Sequence, residues 1–186
     1  MDFDQGEIWS GEFYELSLRL RPRNEELLRG ILMALWTRPD IEGPYLDRAG
    51  SPDEQPRLEI DQLIGSSRIA YGMARLPTSD RVPCCSYVGQ STKRPAIATM
   101  DFSVPCTALG RLLGENWLYE SSTERSIGVW LADVAATLYE ADPFEVGFVG
   151  REVVVAGLAD ELVEADSQRY PRLPGCDGRV HWVQLA

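Results

Sequence analysis

The alternation of apolar and polar residues divides the chain into short elements of two kinds. In residues 12–21 (EFYELSLRLR), Phe13, Leu16, Leu18 and Leu20 line one side after a slip near Tyr14. Glu15, Ser17, Arg19 and Arg21 line the other. A period of two marks a half-buried strand, and Pro22 ends it. Asn24 is a suitable N-cap, and Glu25 and Glu26 complement the positive end of a helix dipole. Leu27, Leu28, Ile31, Leu32 and Leu35 then return at helical spacing, predicting a helix over about 25–37 with Trp36 at the edge of its stripe.

The pattern collapses over 38–57, where Pro39, Pro44, Pro52 and Pro56 fall. A long surface connection is expected there, with Tyr45 and Leu46 tucking it onto the body. Strands follow over 69–76, 82–88 and 96–104, joined by turns at 77–80 and 89–95, a spacing that implies antiparallel neighbours. A short helix over 107–113 ends at Gly114. Ser122 or Thr123 caps the clearest helix, about 124–141, whose Ile127, Trp130, Leu131, Val134 and Leu138 share one narrow core-facing arc. Asp133 and Glu140 lie on its opposite side. A strand over 144–148, a break at Gly150 before 153–155, an acidic helix over 158–165, a loop over 167–178 and a last strand over 179–185 complete the chain. The expected architecture is α+β, one globular domain over 1–186. It has an antiparallel sheet of five or six strands with two main amphipathic helices packed on one face.

Composition narrows the class without changing that picture. With 186 residues, 44% hydrophobic and 25% charged, the chain has the make-up of an ordinary globular domain. No stretch approaches the roughly 18 apolar residues of a membrane span. The opening MDFDQGEIWSGEF is acidic and lacks the features of a signal peptide, so a soluble, cytoplasmic protein is expected.

Charge carries more information. The chain has 18 Lys+Arg against 29 Asp+Glu, a net charge of -11. Such a chain is repelled by phosphate backbones and anionic membrane surfaces, so neither nucleic acid nor membrane is an expected partner. Residues 115–166 hold twelve of the acids and only Arg125 and Arg151 as bases, leaving the remainder close to neutral. A field concentrated in this way steers a basic partner.

Candidate chemistry is sparse. Cys84, Cys85, Cys106 and Cys176 lack the paired spacing of a metal site, and free buried thiols are the better reading. His181, the one histidine, alternates with Val180 and Trp182 as an edge or surface strand residue does. Neither phosphate-loop glycine patterns nor GxSxG occurs, so no cofactor, metal or catalytic residue is assigned. The aromatics Trp9, Tyr45, Trp117, Tyr119 and Tyr170 fall in expected loops, where they are either anchors for a partner or caps on the ends of the core.

Size, acidity and a compact α+β pattern without catalytic grammar make the chain similar, in general properties rather than in any motif, to the immunity proteins that neutralise bacterial toxins. That resemblance implies a protein-binding module that inhibits a basic, toxin-like protein by direct contact. The residues expected to carry it are Glu120, Glu124, Asp133, Glu140, Trp117 and Tyr119. The alternatives are a hydrolase working through carboxylates or a Cys/His181 pair, and a structural or adaptor subunit of an assembly.

Overall fold

Which side of each strand is apolar decides where the core lies, and the strands of this chain agree on one side. The computed structural model describes residues 6–20, 25–64, 68–90, 98–114, 116–117, 121–152 and 180–183. Its strands are β1 (Phe13–Leu20), β2 (Ile41–Tyr45), β3 (Ile69–Arg75), β4 (Arg81–Gln90), β5 (Ala98–Pro105), β6 (Val146–Arg151) and β7 (Val180–Val183). They form one sheet in the order β2-β3-β4-β5-β1-β6-β7. Every neighbouring pair is antiparallel except β6 and β7, which run parallel. The helices are α1 (Glu25–Trp36), α2 (Cys106–Leu113) and α3 (Ser121–Ala141).

Register aligns the apolar rows. Leu16 stands opposite Phe102 on one side and Val149 on the other, and Leu18 opposite Met100. Across β4 and β3 the same face continues through Cys84, Val82, Ala70 and Ala74, all buried. The helices α1 and α3 lie on this face and pack against each other. Trp130 of α3 meets Phe102 edge-on, with ring centroids 6.0 Å apart. Trp36 of α1 is seated over two glycines. A Cβ built on Gly43 would stand 2.6 Å from the Trp36 ring, and one built on Gly72 would stand 2.5 Å from it. Gly43 also has a φ of +141°, a conformation that side chains disfavour. On the other face of the sheet, a 3₁₀ turn (Gly6–Trp9) delivers Trp9 edge-on to Tyr71 at 5.1 Å.

Several expectations are corrected. The sheet is mixed and has seven strands, whereas the short helix expected over 107–113 is present as α2 beside the two longer ones. The extra strand is β2, cut from the segment read as a surface connection. Gly43 and Pro44 interrupt its apolar pattern, and the sheet tolerates them because β2 is an edge strand. Tyr45 is buried as expected, whereas Leu46, expected to tuck in, is 53% exposed. Tyr14, not Phe13, shares the core face with Leu16, so β1 has no slip. Gly150 continues β6 instead of breaking it, and α3 begins at Ser121, before the expected caps. The elements expected over 153–155, 158–165 and 167–178 lie outside the described residues.

Trp130, 6% exposed and edge-on to Phe102, also donates its indole N–H to Asp40 at 2.9 Å, which makes it a core residue. Trp130→Ala should destabilise the protein by about 3–5 kcal/mol, the range for a large aromatic truncated in a packed interior. Chemical denaturation of the two proteins measures this, and a loss below about 0.5 kcal/mol would show that the ring is not packed.

Candidate functional site

The six residues expected to meet a partner separate into three groups. Asp133 and Glu140 are exposed on the outer side of α3, as their helical phase requires. Trp117 and Glu124 are not surface residues. Trp117 is 2% exposed, edge-on to Tyr14 at 5.5 Å, so it caps the core and is no anchor. Glu124 is 8% exposed. Its position, one turn before Gly128, turns it toward the sheet. A Cβ on Gly128 would lie 3.5 Å from the Tyr14 hydroxyl and 3.6 Å from the Trp182 ring. Tyr119 and Glu120 lie outside the described residues. Trp9 and Tyr45 are buried, so they too cap the core, and Tyr170 lies outside the described residues.

The acidic stretch is largely consumed by the fold where it is described. Asp133 pairs with Arg38 at 2.8 Å, and Glu145 with Arg19 at 2.9 Å. Asp142 is buried, and Glu152 accepts the Phe13 amide at 2.8 Å. The Arg38 fork is the densest of these contacts. Its Nε and Nη2 meet the two oxygens of Asp40 at 2.9 Å each. Its Nη1 donates to the Thr137 hydroxyl and, at 3.3 Å, to the Asp133 carbonyl. Asp40 in turn accepts the Trp130 indole N–H at 2.9 Å. Burial would raise the Asp40 carboxyl, but the hydrogen bonds from Arg38 and Trp130 outweigh it and hold the group below the usual carboxylate range.

Sequence reasoning placed Leu27 in the core stripe of α1, where it is 36% exposed, and passed over Met33 at 45% and Val129 at 43% on the same helix layer. Helical phase held the signal. Val129 is one turn from both Arg125 and Asp133, on the polar row of α3, and Met33 is one turn from Arg29 and Thr37 on α1. A second exposed pair, Ile69 and Tyr87, stands cross-strand on the face of the sheet opposite α1 and α3.

That face carries a polar row. Ser17 donates to Asp101, and Ser103 donates to Glu15 at 3.1 Å. Since Glu15 is opposite Ser103 and Ser17 opposite Asp101, the two carboxylates are diagonal neighbours, about 7–8 Å apart at the backbone. Burial raises Asp101, partly offset by the Ser17 hydrogen bond. Cys85 shares this row. Burial, with Glu15 and Asp101 nearby, pushes its thiol up to about 12, and burial does the same to Cys106. Burial also holds Cys84 well above its ordinary value. Such thiols stay protonated, the opposite of what a thiolate nucleophile needs. His181 stacks on Phe148 with centroids 5.7 Å apart on β7, an edge of the sheet. The strand bearing Cys84 and Cys85 is four spacings away, about 19 Å. Neither thiol forms a pair with His181. Cys176 lies outside the described residues. No helix among the described residues is long and apolar enough to cross a membrane.

Comparisons with protein-family models, with curated proteins and with solved structures find no match to this chain.

Burial raises the Glu124 carboxyl. The folded chain therefore holds this proton more tightly than the unfolded one, and its stability falls as pH rises through the window above the ordinary Glu value of about 4.3. Glu124→Gln removes the charge without changing the shape. It should raise the melting temperature at pH 7.5, with the gain disappearing near pH 4. A lower melting temperature for the variant at pH 7.5 would mean that the ionised carboxylate has a stabilising partner. Reversal to Lys at this buried position should destabilise the fold, contrary to what a surface acid would do.

Proposed function

We propose that this chain is an acidic protein-binding module that neutralises a basic, toxin-like protein by direct contact, in the manner of an immunity protein. The observation that carries this reading is how the arginines are used. Arg19, Arg29, Arg38, Arg81, Arg111 and Arg151 each meet a carboxylate of the same chain. Six of the 18 cations are thereby paired within the chain, and the excess of acids, a net charge of -11, is left to act on the surroundings. Among exposed acids, Glu140 and Asp133 project from α3. The buried, protonated thiols and the strand separation from Cys84 and Cys85 to His181 weigh against the Cys/His hydrolase.

A carboxylate hydrolase is the second reading, drawn from Glu15 and the raised Asp101. It ranks lower because serines of the same sheet already occupy oxygens of both groups.

Salt separates the binding reading from mere solubility. With the protein encoded beside this chain as analyte, association should slow about tenfold or more between 50 and 500 mM salt, with dissociation changed less. Asp133→Lys with Glu140→Lys should slow association further at low salt. Melting temperature serves as the control, since Asp133→Lys also gives up the Arg38 contact. Failure to form a complex, or an association rate indifferent to both salt and the reversals, would overturn the proposal.

A further inference from the structure

The geometry points to a built site for one small neutral molecule, a water, between α3, β1 and β7, held by Tyr14, Trp182 and Glu124. The site lies on the helix side of the sheet and is independent of the binding reading above.

Tyr14 is fully buried, and its hydroxyl has no hydrogen-bond partner. The Trp182 indole N–H is likewise buried without one. The two come together at Gly128, where a Cβ would lie 3.5 Å from the Tyr14 oxygen and 3.6 Å from the Trp182 ring. Trp182 is close enough to act on the ionisation of the phenol, yet the pair lacks the geometry of a hydrogen bond. Glu124 stands one turn before Gly128 on the same face of α3. Its charge also reaches the Tyr14 phenol. Burial alone acts on the Glu124 carboxyl, with no hydrogen bond or opposite charge to answer it. A buried polar group without a partner is costly, and here three such groups meet.

Their chemistry selects the occupant. Trp182 only donates, the Tyr14 hydroxyl donates, and Glu124 supplies an acceptor oxygen in either protonation state. A cation would face two donors and an anion would face the acid, so the molecule is neutral. Water offers two lone pairs to the donors and a hydrogen to the carboxyl, the three bonds usual for a buried water. Gly128 provides the room. A Cβ there meets its neighbours at 3.5, 3.6 and 3.7 Å, ordinary contacts, so a methyl fits and a water is of similar size. The bridge has a structural effect as well. β7 is an edge strand hydrogen-bonded to β6 alone, and the water ties it to the helix and to β1.

Two measurements on the full chain test the site. A high-resolution crystal structure should show one water at about 2.7–3.2 Å from all three groups. Gly128→Ala should expel that water and lower the melting temperature, because the methyl takes its place and leaves the three groups unanswered. A dry site predicts the opposite sign, since alanine is the better helix former and its Cβ meets only ordinary contacts. Gly30→Ala, in α1 with open space about its Cβ, is the control and should raise the melting temperature. A Gly128→Ala protein that melts at or above the temperature of the parent overturns the proposal. So does a parent structure in which the place is empty or holds an ion, or in which Tyr14 bonds directly to Glu124 or Trp182.

Discussion

One guanidinium ties the layers of this protein together. Arg38 follows α1 and precedes β2, so its fork on Asp40 fixes the turn between them. The same group reaches across to Asp133 and Thr137 on α3, and Asp40 reaches Trp130, whose ring rests on Phe102 of the sheet. The Asp40 carbonyl also accepts the Arg75 amide at 2.7 Å, which brings β3 into the arrangement. Two helices and two strands thus depend on a single charged cluster at the rim of the core. Such a cluster holds only while all members are present. Removing the arginine leaves the partly buried Asp40 carboxylate without its counter-charge, a loss of about 3–5 kcal/mol for a fully buried pair and less at this rim.

The elements that were legible in the sequence are those whose partners are close in the chain or repeat at a fixed period. The alternation of β1, the stripe of α1 and the Trp130 face of α3 all follow from one periodicity each. What escaped depends on residues far apart. Trp36 sits at the edge of its stripe by phase, and its burial comes from glycines at positions 43 and 72. Trp117 falls in a stretch without sustained periodicity, and its interior position shows in its contacts with Tyr14 and with Gly110. β2 was hidden because a glycine–proline pair in its middle mimics a loop.

Charge shows the same division between linear and spatial order. Residues 115–166 are the most acidic part of the sequence, yet much of what is described of them turns inward or pairs with arginines from distant segments. Density along the chain measured the supply of carboxylates, and the fold decided which of them remain available. The outward phase of Asp133 was readable. Its partner Arg38, 95 positions earlier, was not.

The place of β1 bears on how the chain comes to be folded. It is the first strand in sequence and lies deep in the sheet, between β5 and β6. Its register joins Phe13 to Pro105 and Tyr14 to Arg151. During synthesis the strand therefore emerges long before either neighbour exists, with both of its edges open. β2, β3 and β4 can pair among themselves in the meantime, but they cannot join β1 until β5 arrives between them. Sequence separations of this size slow folding, because loop closure must precede the contacts that reward it. The later half of the chain thus completes the earlier one, and a nascent chain stopped before β6 carries an unpaired edge on β1, open to other chains.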